Sequence, residues 1–372
     1  AAARKVCEVI GELGFERTVR VAAVTGDDVL AQVVDADPVV WETGRRLSDH
    51  AEELVSANAY LGAEALLPAL RAEADVVIGG RLADPSLYLA PLIHEFGWDS
   101  CPSGKENEAG AEGLDRLAGG TLVGHLLECA GQLTGGYYAD PVTKPVPGMD
   151  DLGFPYADVD GDGGALLQKL HDAGGLLTPD TCREQLVYEV ADPQGYITPD
   201  ITADFSGAHF DARGEDRVQV RGAVGRPRPG TLKVTLGFHA GWAGEGQISY
   251  AGPRAMERAE LASQIVTARL VRLHGFSAAD LTTEYIGTGS TYRQFSPPNR
   301  HTPEVRVRIS GTAGSEEQAL AVAHEVESLY TNGPAGGGGA RGSSWEVVAV
   351  RSTDIPREKV TPAINFTEVH HG

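Results

Sequence analysis

The sequence predicts an α/β protein of two domains. Residues 1–210 form a parallel-sheet α/β domain with a ligand cleft, and residues 211–372 a ferredoxin-like α+β domain. Three observations predict it. Residues 18–24 and 75–78, TVRVAAV and DVVI, are short apolar runs without alternation, as in strands covered on both faces; a turn and a helical stretch follow each. From residue 232 onward the rhythm changes to two consecutive strand, helix, strand units of similar length, the split βαβ pattern. Finally, 372 residues at 42% hydrophobic and 22% charged are enough for two separate cores.

In chain order, residues 1–13 read as a helix ending at Gly14, so the chain begins inside a structural unit and an upstream segment is expected before it. Strand 18–24 leads to the turn Gly26-Asp27-Asp28, where either aspartate suits a helix N-cap. Residues 51–57 and 61–72 carry helical periodicity on either side of Asn58. Strand 75–78 precedes a helix over 86–96, and residues 101–113 form a polar, glycine-bearing loop. A helix rich in small residues covers 122–132, short strands and turns fill 135–175, and a helix spans 181–190. Beyond these, residues 232–238 and 247–250 are strand-like, with 241–252 (GWAGEGQISYAG) a hairpin between them that presents Glu245. Helix 254–273, strand 281–286, strand 304–309, helix 315–330 and strand 345–350 complete the second domain. The glycine-rich run 331–341 follows a helix and precedes a strand, the reverse of a phosphate cradle, so it is expected to be a flap or a subunit contact.

Asp plus Glu outnumber Lys plus Arg by 52 to 31, a formal charge of -21. Such a field repels nucleic acid and anionic membrane surfaces, so neither is an expected partner, and an anionic small-molecule substrate would need a local cationic pocket. No apolar run reaches the roughly 18 residues of a membrane span and no signal peptide is legible, so the expected location is cytoplasmic. Four scattered cysteines, Cys7, Cys101, Cys129 and Cys182, are expected to be reduced thiols.

In open parallel sheets, ligands sit beyond the carboxyl ends of strands. The stretch VVIGGRLADPS (76–86) fits that place. Gly79 and Gly80 allow close backbone approach, and Arg81 can grip a carboxylate or phosphate in bidentate fashion. Asp84-Pro85 has the order of an N-cap followed by an N1 proline, and Ser86 opens the helix. The alternative is a tight connection in which Arg81 and Asp84 pair with each other. Gly26 and Asp27 stand after the preceding strand, where Asp27 could bind a ligand hydroxyl or metal, or simply cap a helix. Asn58 and Tyr60, between two helical stretches, offer polar ends to a ligand or to each other. His125 and Glu128, three residues apart on a helix, share a face and suit a general base with its orienting carboxylate, metal ligands with a third from elsewhere, or a buried satisfied pair. The run Asp158 to Gly163 opens like a calcium loop, but the twelfth position is Lys169, which leaves a turn.

Six phrases carry a family resemblance: SANAYLGA (56–63), VVIGGRLADPSLYLAPLIHEFGW (76–98), GGTLVGHLLECAGQLTGGYYAD (119–140), GRPRPGTLKV (225–234), GEGQISYAGP (244–253) and LYTNGPAGGGG (329–339). Together they resemble the acyclic terpene utilisation, AtuA-like, family over nearly the whole chain. That resemblance implies catabolism of branched isoprenoid acids as coenzyme A thioesters, and assigns no catalytic residue.

The expected function is acid–base chemistry on an acyl thioester or branched carboxylic acid: hydration, dehydration or carbon–carbon cleavage. His125, Glu128 and Asp84 would be its catalytic residues, and Gly26, Asp27, Asn58, Gly79, Gly80, Arg81 and Ser86 its ligand-binding residues. No cofactor is required and no metal ligand set is legible, although a metal-dependent lyase is a third reading. The rival from another class is a non-catalytic metabolite-binding or scaffold subunit whose second domain builds a homo-oligomer.

Overall fold

A computed structural model of the protein describes residues 2–15, 17–50, 52–100, 108–292 and 301–370. It is a mixed α/β structure with several sheets, and the chain divides into two compact units. Unit one comprises Ala1–Asp49, Ser56–Leu236 and Ser352–Gly372; unit two comprises His50–Val55 and Gly237–Arg351. Residues 211–236 and 352–372, expected in the second domain, therefore belong to the first unit. The reason for the return is the strand Ala363–Val369, which the sequence did not suggest. It runs antiparallel to Val19–Thr25, from Val19↔Val369 to Thr25↔Ala363.

On its other edge Val19–Thr25 pairs in parallel with Val76–Gly79, so the sheet order is Ala363–Val369, Val19–Thr25, Val76–Gly79. The helix Ala2–Leu13 covers it through Ile10, which packs with Val19 and Val21. Unit one also holds a four-stranded antiparallel sheet, ordered His209–Gly214, Arg217–Arg221, Ala165–Lys169, Pro155–Val159. The expected turn at 160–164 joins its last two strands, with Gly163 at φ +89°. Three short strands, Val224–Arg226, Thr202–Asp204 and Tyr196–Ile197, form another antiparallel sheet. Burial in this unit pushes the Cys182 thiol up to about 12, as suits an inert core cysteine.

Four local expectations are corrected. Of the predicted helix 51–57, residue 51 lies outside the described residues and 52–57 are not helical: Glu53–Ala59 is a strand, in which Ala57 and Ala59 are buried and their neighbours are not. Long-range bonds outweigh the helical propensity of these residues, since Val29 N–H donates to Ala57 O at 2.9 Å and Ala59 N–H to Asp27 O at 2.7 Å. There is no hairpin at 241–252. A single strand, Thr231–Ala251, runs through it, and its residues 242–251 pair antiparallel with Glu304–Ala313. The run 331–341 is not a separate flap, because the strand Gly337–Pro356 begins inside it. Of the predicted loop 101–113, residues 101–107 lie outside the described residues, and the helix Glu108–Leu127 already occupies the remainder.

The strand order of the sheet in unit two is Leu281–Ile286, Glu304–Ala313, Thr231–Ala251, Gly337–Pro356, of which residues 231–236 and 352–356 are assigned to unit one. Helices Ala255–His274 and Glu316–Glu327 lie in the connections. Ile248, Tyr250, Val305, Val307 and Ile309 from the sheet bury themselves against Ala259, Val266, Val322 and Val326 from the helices.

Candidate functional site

Most of the predicted ligand-binding residues meet at one carboxylate. Asp27 Oδ2 accepts the Asn58 side-chain amide at 3.0 Å and the Arg81 backbone N–H at 2.8 Å. Gly80 lies flat against that carboxylate: a Cβ there would fall 2.1 to 2.4 Å from its oxygens and Cγ. Gly26, at φ +99°, has no room for a side chain either, with Thr361 O 2.3 Å from where a Cβ would be. Gly26, Asp27, Asn58, Gly80 and Arg81 thus form one knot joining three chain segments. Gly79 stands apart, its would-be Cβ 2.3 Å from Leu82 Cδ1. Neither Asp27 nor Asp28 is the N-cap of the helix Leu30–Ala36, which is Val29, although Asp28 Oδ1 accepts Leu30 N–H at 3.1 Å.

The knot aligns residues 61 and 81–83 as neighbours: Leu61 N–H donates to Arg81 O, and Ala83 N–H to Leu61 O, each at 3.0 Å. Beside them Tyr60 N–H donates to Lys233 O at 2.9 Å. The Tyr60 ring consequently has two cations about it, Arg81 Cζ at 5.2 Å and Lys233 Nζ at 5.4 Å from its centroid. Both side chains are exposed, and among the described residues neither forms an ion pair. Tyr60 and Lys233 line a cavity of about 190 Å³ whose other walls include Asp84, Tyr196, Ile197 and Leu232. Its lining is largely apolar, with one cation, Lys233, and one carboxylate, Asp84; Arg81, expected to grip the ligand, is exposed and is not among the lining residues.

Asp84 does not cap the following helix: Ser86–Phe96 begins after Pro85, and no side-chain cap bond forms there. Nor does it pair with Arg81. It remains an exposed carboxylate on the cavity wall. Ser86 is fully buried, and its hydroxyl donates to Asp200 Oδ2 at 2.5 Å. Asp200 Oδ1 accepts Ala63 N–H at 2.8 Å. Asp200 so ties together the segments that bear Tyr60, Asp84 and the cavity residues Thr198 and Pro199. Arg357 reinforces this wall, donating to Pro199 O at 2.5 Å and to Glu64 Oε1 at 3.3 Å.

Burial holds the Asp200 carboxyl above the usual carboxylate range, against the hydrogen bonds from Ser86 and Ala63. The stability it contributes is fully present below the unfolded value and is lost as pH rises through the raised folded value. Asp200→Asn keeps an acceptor for Ala63 and lacks that loss. Its melting temperature relative to wild type is therefore expected to rise between about pH 4 and pH 8. A difference that stays flat, or falls, across that range in thermal melts would show that burial does not govern this carboxyl.

His125 and Glu128 come together as their spacing predicted, Nδ1 lying 3.1 Å from Oε1. His125 is 1% exposed and its ring lies 5.2 Å from that of Tyr196, the cavity residue. Burial pushes the Glu128 carboxyl up, and that of Tyr196 raises its phenol. Tyr196, Lys233 and Asp200 were not singled out from sequence. Each is an isolated residue in an ordinary strand or turn, and only the fold brings them to the cavity.

Among the described residues no three His, Cys, Asp or Glu side chains converge in an arrangement that could hold a metal, and no helix is long and apolar enough to cross a membrane. The fold and site define a two-unit mixed α/β protein whose first unit carries a mostly apolar cavity lined by one lysine and one aspartate. A family model described as acyclic terpene utilisation family protein AtuA matches residues 1–366, nearly the whole chain, and the protein belongs to that family. Neither curated proteins nor solved structures gave a match.

Proposed function

We propose that this protein processes a small branched carboxylic acid, or its acyl thioester with coenzyme A, by acid–base chemistry of the hydratase, dehydratase or lyase kind. The observation that carries the reading is the pair of cations about Tyr60, a residue that lines a mostly apolar cavity together with Lys233 and Asp84, Arg81 standing outside that lining. In a chain of formal charge -21, two cations that form no ion pair among the described residues mark where an anion is welcome. Arg81 and Lys233 hold the anionic or carbonyl end, Ile197 and Leu232 receive the hydrocarbon branch, and Asp84 with the His125–Glu128 pair moves the proton. Chemistry of this kind needs no cofactor beyond these side chains. We further propose that unit two is a ferredoxin-like module, which its strand order and its two connecting helices support, and that it assembles the chain into a homo-oligomer. A cytoplasmic location suits the free thiols of Cys7, Cys129 and Cys182.

One observation favours a second reading, a metabolite-binding subunit without catalysis: both ring nitrogens of His125 already have partners. Calorimetric titration with branched carboxylates and their thioesters, followed by mass spectrometry for product, separates the two. Binding with product supports the enzyme, and binding without product the sensor. Absence of binding across acids and thioesters would sink both.

A further inference from the structure

His125 Nε2 lies 3.1 Å from the carbonyl oxygen of Gln185 and 3.2 Å from that of Leu186. Carbonyl oxygens have no hydrogen to give, so Nε2 is the nitrogen that bears one. The contact between Nδ1 and Glu128 Oε1 then needs a single further proton between its two atoms. Either a neutral carboxylic acid donates to a neutral ring, or an imidazolium donates to a carboxylate. Glu128 Oε2 decides between them. It is buried and has no hydrogen-bond partner among the described residues, a situation far costlier for an ionised carboxylate than for an acid.

The surroundings agree. Asp84 precedes the helix Ser86–Phe96 and Glu189 follows the helix Pro179–Val187, and both carboxylates oppose ionisation of Glu128. Tyr88, Cys129 and Tyr196 also face it, and Glu128 in turn opposes their ionisation. The ring itself cannot swing. Tyr196 and Phe205 pack against it at 5.2 and 5.9 Å, and the Gln185 side chain donates to the His125 carbonyl at 3.0 Å.

From this geometry we infer that Glu128, not His125, bears the proton shared between them, behind the cavity residue Tyr196, and that His125 is a positioning residue held as its Nε2–H tautomer. The order of roles that the sequence suggests is reversed. Use of that proton on a substrate rests on the function proposed above, whereas the state of the pair does not.

The test uses the full-length protein labelled with ¹⁵N-histidine, with His125 assigned by loss of its signals in His125→Gln, or by contacts to Tyr196 and Phe205 should that variant not fold. Ring correlations at neutral pH are expected to show Nε2–H and an unprotonated, hydrogen-bond-accepting Nδ1. The infrared spectrum is expected to contain a protonated-carboxyl band that Glu128→Gln removes and that ¹³C-glutamate labelling shifts. An Nδ1–H ring, an imidazolium, or the absence of any such band would each overturn the inference. With a substrate in hand, Glu128→Gln should lower kcat by at least about 100-fold at nearly constant KM. His125→Gln should lower it less and displace the pH profile. Unchanged kcat in Glu128→Gln overturns the use of that proton in turnover, while the expected spectra without turnover on any acid or thioester overturn only the proposed function.

Discussion

Gly244→Ala is expected to destabilise unit two by about 3 kcal/mol, the upper part of the usual range for overpacking. A Cβ at Gly244 would fall 1.9 Å from Ala319 O and 2.6 Å from its carbonyl carbon. These are backbone atoms of the helix Glu316–Glu327, so no side-chain rotamer can yield, and the helix must move off the sheet. Two more glycines hold the same approach. A Cβ at Gly246 would meet Val326 Cγ2 at 2.6 Å, and one at Gly342 would meet Ala323 Cβ at 2.3 Å. Gly338→Ala is the control from the same sheet, because nothing lies within 4 Å of its would-be Cβ. Urea denaturation should show a clearly lowered midpoint for Gly244→Ala and little change for Gly338→Ala. Equal midpoints for the two variants would mean that the sheet and helix can separate without loss.

The glycines of GWAGEGQISYAG show why one part of the fold was misread from sequence. Glycine in a strand signals either a turn or a close neighbour, and only the neighbour's identity distinguishes them. Here the neighbour is a helix some 75 residues further on, so a hairpin was the local reading of a long-range fact. The strand Ala363–Val369 was missed for a similar reason, since its register with Val19–Thr25 joins opposite ends of the chain. By contrast VVIGGRLADPS was legible as strand, turn and helix, because an unbroken apolar run, a double glycine and a proline act locally; Val76–Gly79 and Ser86–Phe96 follow that order. The candidate site divides along the same line. Gly26, Asp27, Asn58, Gly80 and Arg81 could be picked out as turn and edge residues, but not that one carboxylate would gather them. Spacing revealed that His125 and Glu128 share a face. The carbonyls of Gln185 and Leu186 that set the tautomer lie on another segment, beyond the reach of periodicity.

Removing both Arg81 and Lys233 side chains is expected to weaken binding of a branched carboxylate by roughly 10³-fold, and each single change to alanine by about 10- to 100-fold. The reason lies in what these side chains do not do. Neither forms an ion pair among the described residues, so their loss breaks no internal bridge, and melting temperatures should stay close to wild type. The Tyr60–Lys233 and Arg81–Asp27 hydrogen bonds use backbone atoms of Lys233 and Arg81 and survive truncation. What disappears is the local positive potential about Tyr60, of which Lys233 already directs part to Glu42, leaving the anion to face a chain of formal charge -21. Tyr60→Phe keeps the ring on which the cations rest and should bind almost normally, whereas Tyr60→Leu should lose part of their placement, about 0.5–1 kcal/mol. Raising the salt concentration should weaken carboxylate binding in wild type and change little in the double variant, since these exposed cations are screened over about 10 Å at 0.1 M. The corresponding amide, with the same hydrocarbon and no charge, should bind wild type and double variant alike. Calorimetric titration of acid and amide against wild type, the two single variants and the double variant reads the charge-dependent differences directly. A double variant that binds the acid as tightly as wild type would show that the cations about Tyr60 are not the anion's seat.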